Sequence, residues 1–326
     1  MENKVKAGIM GVCIGDALGV PVEFRSREQL KRSPVTKMRA LGTHHQPVGT
    51  WSDDGSLTLC LADSLCNGYD LENIALKFLQ WYNAEIWTPH GRVFDIGIAT
   101  SQAIYRIGRG VSPILCGGNS EFDNGNGSLM RMMPLLFYIK NLPIEKRFDI
   151  IKDVSSITHR HIRSIVACFI YLEFALEILK GKDKWDAYRT MQKTVREFLD
   201  HNPICSQNEM DKFHRILELK VGEYDLAPLY TLQEEEISSG GYVLHSLEAS
   251  LWCFLNSESY AEAVLKAVNL GEDTDTTGAI TGGIAGIYYG YENIPEEWIA
   301  ELVRKDDIEE LCKKMAKKLY HIDNPL

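Results

Sequence analysis

The sequence predicts an all-α fold, a compact multi-helix array, and three observations carry that prediction. Apolar residues recur at three- and four-residue intervals along most of the 326 residues. Serine, threonine or aspartate stands where several of these segments begin, as helix N-caps do. Convincing runs of alternating apolar and polar residues, which half-buried strands require, are absent.

Taken in order, the first helical stretch ends in GVCIGDALGVPVEF at 11–24. Glycines 11, 15 and 19 recur every four residues and give a smooth face for another helix; Pro21 breaks the helix, and Glu23 follows in the exit loop. After a loop from Arg39 to Thr50, Ser52 or Asp53 caps a helix over 54–67, followed by helices over 70–83 and 92–108 with a loop at Trp87 to Gly91. The loop from Gly117 to Gly125 leads into helices over 127–140 and 145–157, then one over 160–180 beginning at Thr158 or His159. Helices over 184–200 and 206–220 precede the most irregular segment, 221–239, a possible lid or insertion whose Glu234-Glu235-Glu236 reads as solvated surface. Val243, Leu247, Leu251 and Leu255 then form one stripe of a helix over 241–256. Helices over 258–270, 276–290 and 306–319 complete the chain, with caps at Ser257, Thr274 and Asp306 or Asp307. No repeat, low-complexity tract or interdomain linker interrupts this order, so one domain over 1–326 is expected.

Composition narrows the function. Hydrophobic content of 45% and charged content of 25% are those of a globular protein, and a net charge of −10 disfavours nucleic acid and anionic membrane as partners. Eight cysteines without a C-x-x-C spacing read as small core residues in a reducing compartment. Lys4 and Lys6 before the apolar run Ala7 to Val22 imitate a signal peptide, but Asp16 interrupts the run and no cleavage pattern ends it. A cytoplasmic location is expected.

The chemistry concentrates in two remote aspartate clusters. Ser52-Asp53-Asp54 lies in GTWSDDGSLTLC, and Asp273-Thr274-Asp275-Thr276 lies in GEDTDTTGAITGG. Either one alone is explained as a helix cap. Together they form an all-oxygen ligand set suited to hard divalent cations, and adjacent carboxylates that repel are tolerable when a cation neutralises them. If the fold unites them, a two-metal site follows. In FDNGNGSLMRMMPL at 122–135, Gly125 to Ser128 offer amides at a helix N-terminus, a seat for phosphate, and Arg131 one turn later adds charge. His159, Arg160, His161 and Arg163 crowd the start of the next helix, where cations are disfavoured unless something anionic is near. Asp95 stands alone in an otherwise apolar helical stretch, either as a buried hydrogen-bonded anchor or as a catalytic carboxylate. Tyr242, after two glycines, either packs in the core or stacks on a base.

In their order along the chain, these segments resemble the ADP-ribosylglycohydrolase family, which includes dinitrogenase reductase-activating glycohydrolases and ADP-ribosylarginine hydrolases. The resemblance runs from about Gly8 to Gly290. It implies an all-α fold, an orthogonal multi-helix array with a two-metal cleft, a pair of Mg²⁺ or Mn²⁺ ions, and hydrolysis of the glycosidic bond joining ADP-ribose to a protein side chain. The implied partner is an ADP-ribosylated protein, with ADP-ribose as product. Arginine is the first expected acceptor; ADP-ribosylserine, O-acetyl-ADP-ribose or another acceptor is the alternative, and a non-catalytic ADP-ribose-binding or structural protein is the rival. Position by position, Ser52, Asp53, Asp54, Asp273, Asp275 and Thr276 match the family's metal ligands. Glu23 matches a mobile glutamate near the metals, and Asp95 matches an aspartate of the catalytic cleft. Asn126, Gly127, Ser128 and Met130 match the loop around the distal ribose and diphosphate, His159 a histidine region near the ligand, and Tyr242 an aromatic beside the adenine. Two departures stand out: Ser52 replaces a threonine and keeps its hydroxyl, and Glu272 replaces a glycine, adding charge and bulk.

Overall fold

The computed structural model describes residues 1–218 and 227–323. Helices are the only regular elements among them, beside a few isolated β-bridges. The helices that position the site are α1 (Glu2–Gly19), α2 (Asp53–Leu65), α3 (Ile98–Gly108), α4 (Ile162–Leu179), α5 (Val243–Leu255) and α6 (Thr274–Tyr289).

Helix α1 is buried throughout residues 7–19, which is why its sequence shows no polar face. The helical span Glu2–Val22 is long and apolar enough to cross a bilayer, and 94% of its most apolar 18-residue window is buried inside the fold. The four-residue glycine repeat of α1 meets a second one on α6. A Cβ on Gly11 would fall 2.2 Å from the Gly282 carbonyl oxygen, and one on Gly15 would fall 2.1 Å from that of Gly278. The two backbones therefore touch directly. At the end of this contact Gly19 lies against Asp275, where a Cβ would fall 2.3 Å from the Asp275 Cα, and the Thr274 hydroxyl donates to the Gly19 carbonyl at 2.8 Å.

The same helix also holds the first aspartate cluster. Asp16, fully buried, accepts from the backbone amides of Ser52 at 2.9 Å and Gly55 at 2.8 Å, fastening the start of α2 to α1. One helix thus registers two segments that are more than 200 residues apart, as the Thr276–Asp54 contact with its separation of 222 shows. Gly15→Ala should force the helices apart at a close-packed contact and cost about 1–3 kcal/mol, read by denaturant unfolding.

Several elements differ from the sequence expectation. The helix expected over 92–108 begins only at Ile98; Asp95 has φ 50°, a left-handed conformation that no helix interior accommodates, so it stands in a loop. The expected helix over 127–140 is a 3₁₀ turn, Leu129–Arg131, followed by Met133–Ile139, because Pro134 fits only a first helical turn. His161, not Thr158 or His159, is the N-cap of α4, its ring accepting from Arg163 N at 3.2 Å. The segment 206–220 is split into Gln207–Asp211 and His214–Leu217, and its last two positions lie outside the described residues. The short helices Arg27–Arg32 and Glu296–Glu301 were not foreseen. Of the 221–239 segment, residues 221–226 lie outside the described residues. The remainder is tied to the body by the Arg27 guanidinium, which donates to the carbonyls of Glu234 and Ile237, and by Trp252 Nε1, which donates to Leu232 O at 3.0 Å.

Candidate active site

The two aspartate clusters meet around Asp54. The hydroxyls of Ser52 and Thr276 each donate to Asp54 Oδ2 at 3.2 Å. Carboxylate oxygens of Glu23, Asp273 and Asp275 lie within 4.8 Å of one another. Asp53, 6% exposed, lines a cleft of about 210 Å³ together with Glu23, Asp95, Asp273 and Thr276.

The cleft gathers buried carboxyls that oppose one another's ionisation. Burial pushes the Asp53, Asp54 and Asp275 carboxyls well above the usual carboxylate range, and the charges reinforcing that shift are other carboxylates. Burial likewise raises Asp273, and it raises Asp16 and Glu23 to about 7. Asp54 Oδ1 and Asp275 Oδ2 are buried without a hydrogen-bond partner among the described residues. Orphaned carboxylate oxygens in an all-oxygen set fit a hard divalent cation, which would supply the missing ligand contacts and charge.

A pH test follows. A carboxyl whose folded pKa exceeds its unfolded value stabilises the fold below the unfolded pKa and loses that contribution as pH rises through the folded one. For Asp16 and Glu23, raised from 3.8 and 4.5 to about 7, the loss runs from about pH 4 to about pH 7, and its last part falls between pH 6 and 8. It is on the order of 1 kcal/mol for each group over that window. His159, which burial lowers to about 3, acts in the opposite sense below about pH 6.5, with and without metal. The informative quantity is therefore the difference between metal-loaded and metal-free protein. The rise in Tm on adding Mg²⁺ or Mn²⁺ should grow from pH 6 to pH 8, and a pH-independent rise would contradict this charge balance.

The other wall of the cleft is built from Gly125, Asn126, Gly127, Met130, His159 and Gly241. An antiparallel bridge pairs Gly125 with Tyr242, with Asn126 N donating to Gly241 O at 3.1 Å. This pairing delivers the Asn126 amide to Asp273 Oδ2 at 2.7 Å. His159 backs the loop closely enough that a Cβ on Gly127 would sit 2.8 Å from its ring, so glycine is required there. Its Nδ1 is bonded to Thr158 Oγ1 at 2.8 Å.

Some sequence-selected residues stand elsewhere. The Ser128 side chain is fully buried and its hydroxyl accepts from Ser155 Oγ at 2.9 Å, so it points into the core. Arg131 is also fully buried; its guanidinium donates to the carbonyls of Gly127 and Val154 and stacks on Phe78, bracing the loop from beneath. Tyr242 is half-buried at the rim, with the Arg163 guanidinium 5.7 Å from its ring centre and His245 edge-on at 5.0 Å. Glu272 is exposed and outside the cleft lining; its φ of 61° explains why glycine suits this position.

Three contributions were missed from sequence. Asp16 reads as an interruption of an apolar run, yet it fastens the first cluster. His44, within THHQ, bonds Glu23 Oε2 and lies 4.0 Å from Asp95 Oδ2. Its bond to Glu23 raises the His44 pKa, against the effect of burial. The first turn of α3, with Ile98, Ala99 and Thr100, lines the cleft and carries no side-chain cap, leaving its amides available. The GIAT preceding its polar residues is the one signal for this helix start.

A helical scaffold holding a carboxylate-rich, cation-ready cleft defines the class: an all-α protein with a candidate metal site. The family model for ADP-ribosylglycohydrolase matches residues 1–324, and the chain belongs to that family. It is 31% identical over 318 residues to ADP-ribosylarginine hydrolase Tri1 of Serratia proteamaculans, covering 96% of this chain and 79% of that protein. Against the ADP-ribosyl dinitrogen reductase glycohydrolase of Rhodospirillum rubrum it is 25% identical over 312 residues, covering 94% and 92%. A solved structure of an ADP-ribosylglycohydrolase-related protein complex superposes with a TM-score of 0.78 at 27% identity, over 98% of both chains.

Proposed function

We propose that this enzyme hydrolyses the N-glycosidic bond joining ADP-ribose to an arginine side chain of a modified protein, releasing ADP-ribose. The observation that carries the reading is the union of two remote carboxylate clusters, with orphaned buried oxygens, in one cleft with a glycine-rich loop. Ser52, Asp53, Asp54, Asp273, Asp275 and Thr276 would hold two Mg²⁺ or Mn²⁺ ions. When bound, such ions supply the positive charge that holds ribose hydroxyls and lowers the pKa of a nearby water.

The remaining steps belong to the chain itself. The backbone amides of Gly127 and Ser128 and the uncapped first turn of α3 orient the diphosphate. Met130 and the His159-backed loop shape the space around the distal ribose, and Tyr242 at the rim offers a ring face to the adenine. Binding energy from this remote half positions the anomeric carbon. Cleavage builds positive charge on the ribose, and the carboxylates of Asp95 and Glu23 stabilise that charge or take the proton of the attacking water.

Hydrolysis of ADP-ribosyl-arginine and ADP-ribosyl-serine peptides, measured side by side with and without chelator, tests the reading. Metal-dependent ADP-ribose release from the arginine peptide is expected. Release from the serine peptide alone would move the acceptor assignment, and no release from either would favour a binding protein.

A further inference from the structure

Two acid–aromatic pairs converge on one histidine at the edge of the cleft. Glu23 is followed by Phe24, and Asp95 is preceded by Phe94. Nitrogen and carboxylate atoms of Glu23, His44 and Asp95 lie within 4.8 Å of one another. The His44 ring centre is 6.1 Å from that of Phe24 and 5.4 Å from that of Phe94. Phe24 and Asp95 have φ of 65° and 50°, so each pair is turned by a left-handed residue. Phe24 stays 68% exposed, held by the hydrogen bond its backbone amide donates to Glu272 O at 2.7 Å rather than by a place in the core.

We infer that Phe24, Phe94 and the Glu23–His44–Asp95 group form the acceptor subsite, which selects a guanidinium as the leaving group. This assignment rests on the proposed arginine hydrolase reading. His44 Nε2 is taken by its hydrogen bond to Glu23 Oε2 and stands 4.0 Å from Asp95 Oδ2, beyond hydrogen-bond reach, so that Asp95 oxygen is open to a donor from the acceptor side chain. A planar cation meets an anion and aromatic faces here, the combination that attracts guanidinium. A serine leaving group gains neither contribution. The acids also line the reaction cleft, so the acceptor reaches them when the ribose lies beside the metal carboxylates.

The test uses full-length enzyme with Phe24→Leu, Phe94→Leu and the double variant. For each aromatic ring removed, kcat/KM on an ADP-ribosyl-arginine peptide should fall roughly 3- to 30-fold. The inhibition constant of ADP-ribose, which lacks an acceptor, should stay unchanged. Agmatine, a guanidinium probe, should inhibit wild type and lose its effect in the double variant, and Phe24→Trp should retain both properties. Because Phe24 is exposed, its single variant remains interpretable if the double variant is unstable. Unchanged kcat/KM and agmatine inhibition in Phe24→Leu, or equal loss of ADP-ribose affinity, would overturn the subsite. Wild-type enzyme inactive on arginine peptides would instead overturn the underlying reading.

Discussion

Asp53→Asn and Asp275→Asn should each reduce kcat/KM by more than about 100-fold, because loss of a partner one shell further out already costs 10- to 100-fold in metal affinity. The amide keeps the volume of the carboxylate but removes a charge and weakens cation binding. Both positions are buried, and burial already opposes ionisation there. The metal-free variants should therefore fold as well as wild type, or melt higher, since a repelling charge has gone. That pairing separates a ligand from a structural acid: activity and the Mg²⁺-induced rise in Tm disappear together, while the metal-free Tm holds. Full activity in either variant, or in wild type after exhaustive chelation, would sink the two-metal reading.

Much of this could be read from local sequence, and what could not has a common physical cause. The four-residue glycine repeat at 11, 15 and 19 announced a close helix contact, and the contact exists because a matching repeat at 278, 282 and 286 faces it. The aspartate clusters were visible for the same reason: adjacent carboxylates at helix starts are conspicuous on a line of text. Their meeting was a matter of topology, supplied in advance only by family resemblance. Side-chain direction was the weakest inference. Ser128 and Arg131 sit in the right loop, but a 3₁₀ turn in place of the expected helix directs both inward. Asp16 and His44 were passed over because each acts through a partner distant in sequence, Ser52 in one case and Glu23 in the other. Periodicity misplaced Asp95, since the apolar Val93, Phe94 and Ile96 around it are half-buried loop residues, not a helix stripe.

That relocation sharpens the test of Asp95. As an anchor inside a helix it would need hydrogen bonds to offset its burial. In the loop its side chain is 23% exposed, lines the cleft, and has His44 Nε2 at 4.0 Å, too far for a hydrogen bond. Nothing in that setting requires a carboxylate for folding. Asparagine tolerates the left-handed backbone at φ 50° as aspartate does, so Asp95→Asn changes charge without changing conformation. The variant should lose about 10²- to 10⁴-fold in kcat, the range for removing a positioned acid or base. ADP-ribose affinity and Tm should stay near wild type, because the diphosphate contacts and the core are untouched. A variant that instead melts several degrees lower and keeps its kcat would make Asp95 a structural anchor. The proton of the attacking water would then fall to Glu23, whose carboxyl faces the same cleft and already shares a hydrogen bond with His44.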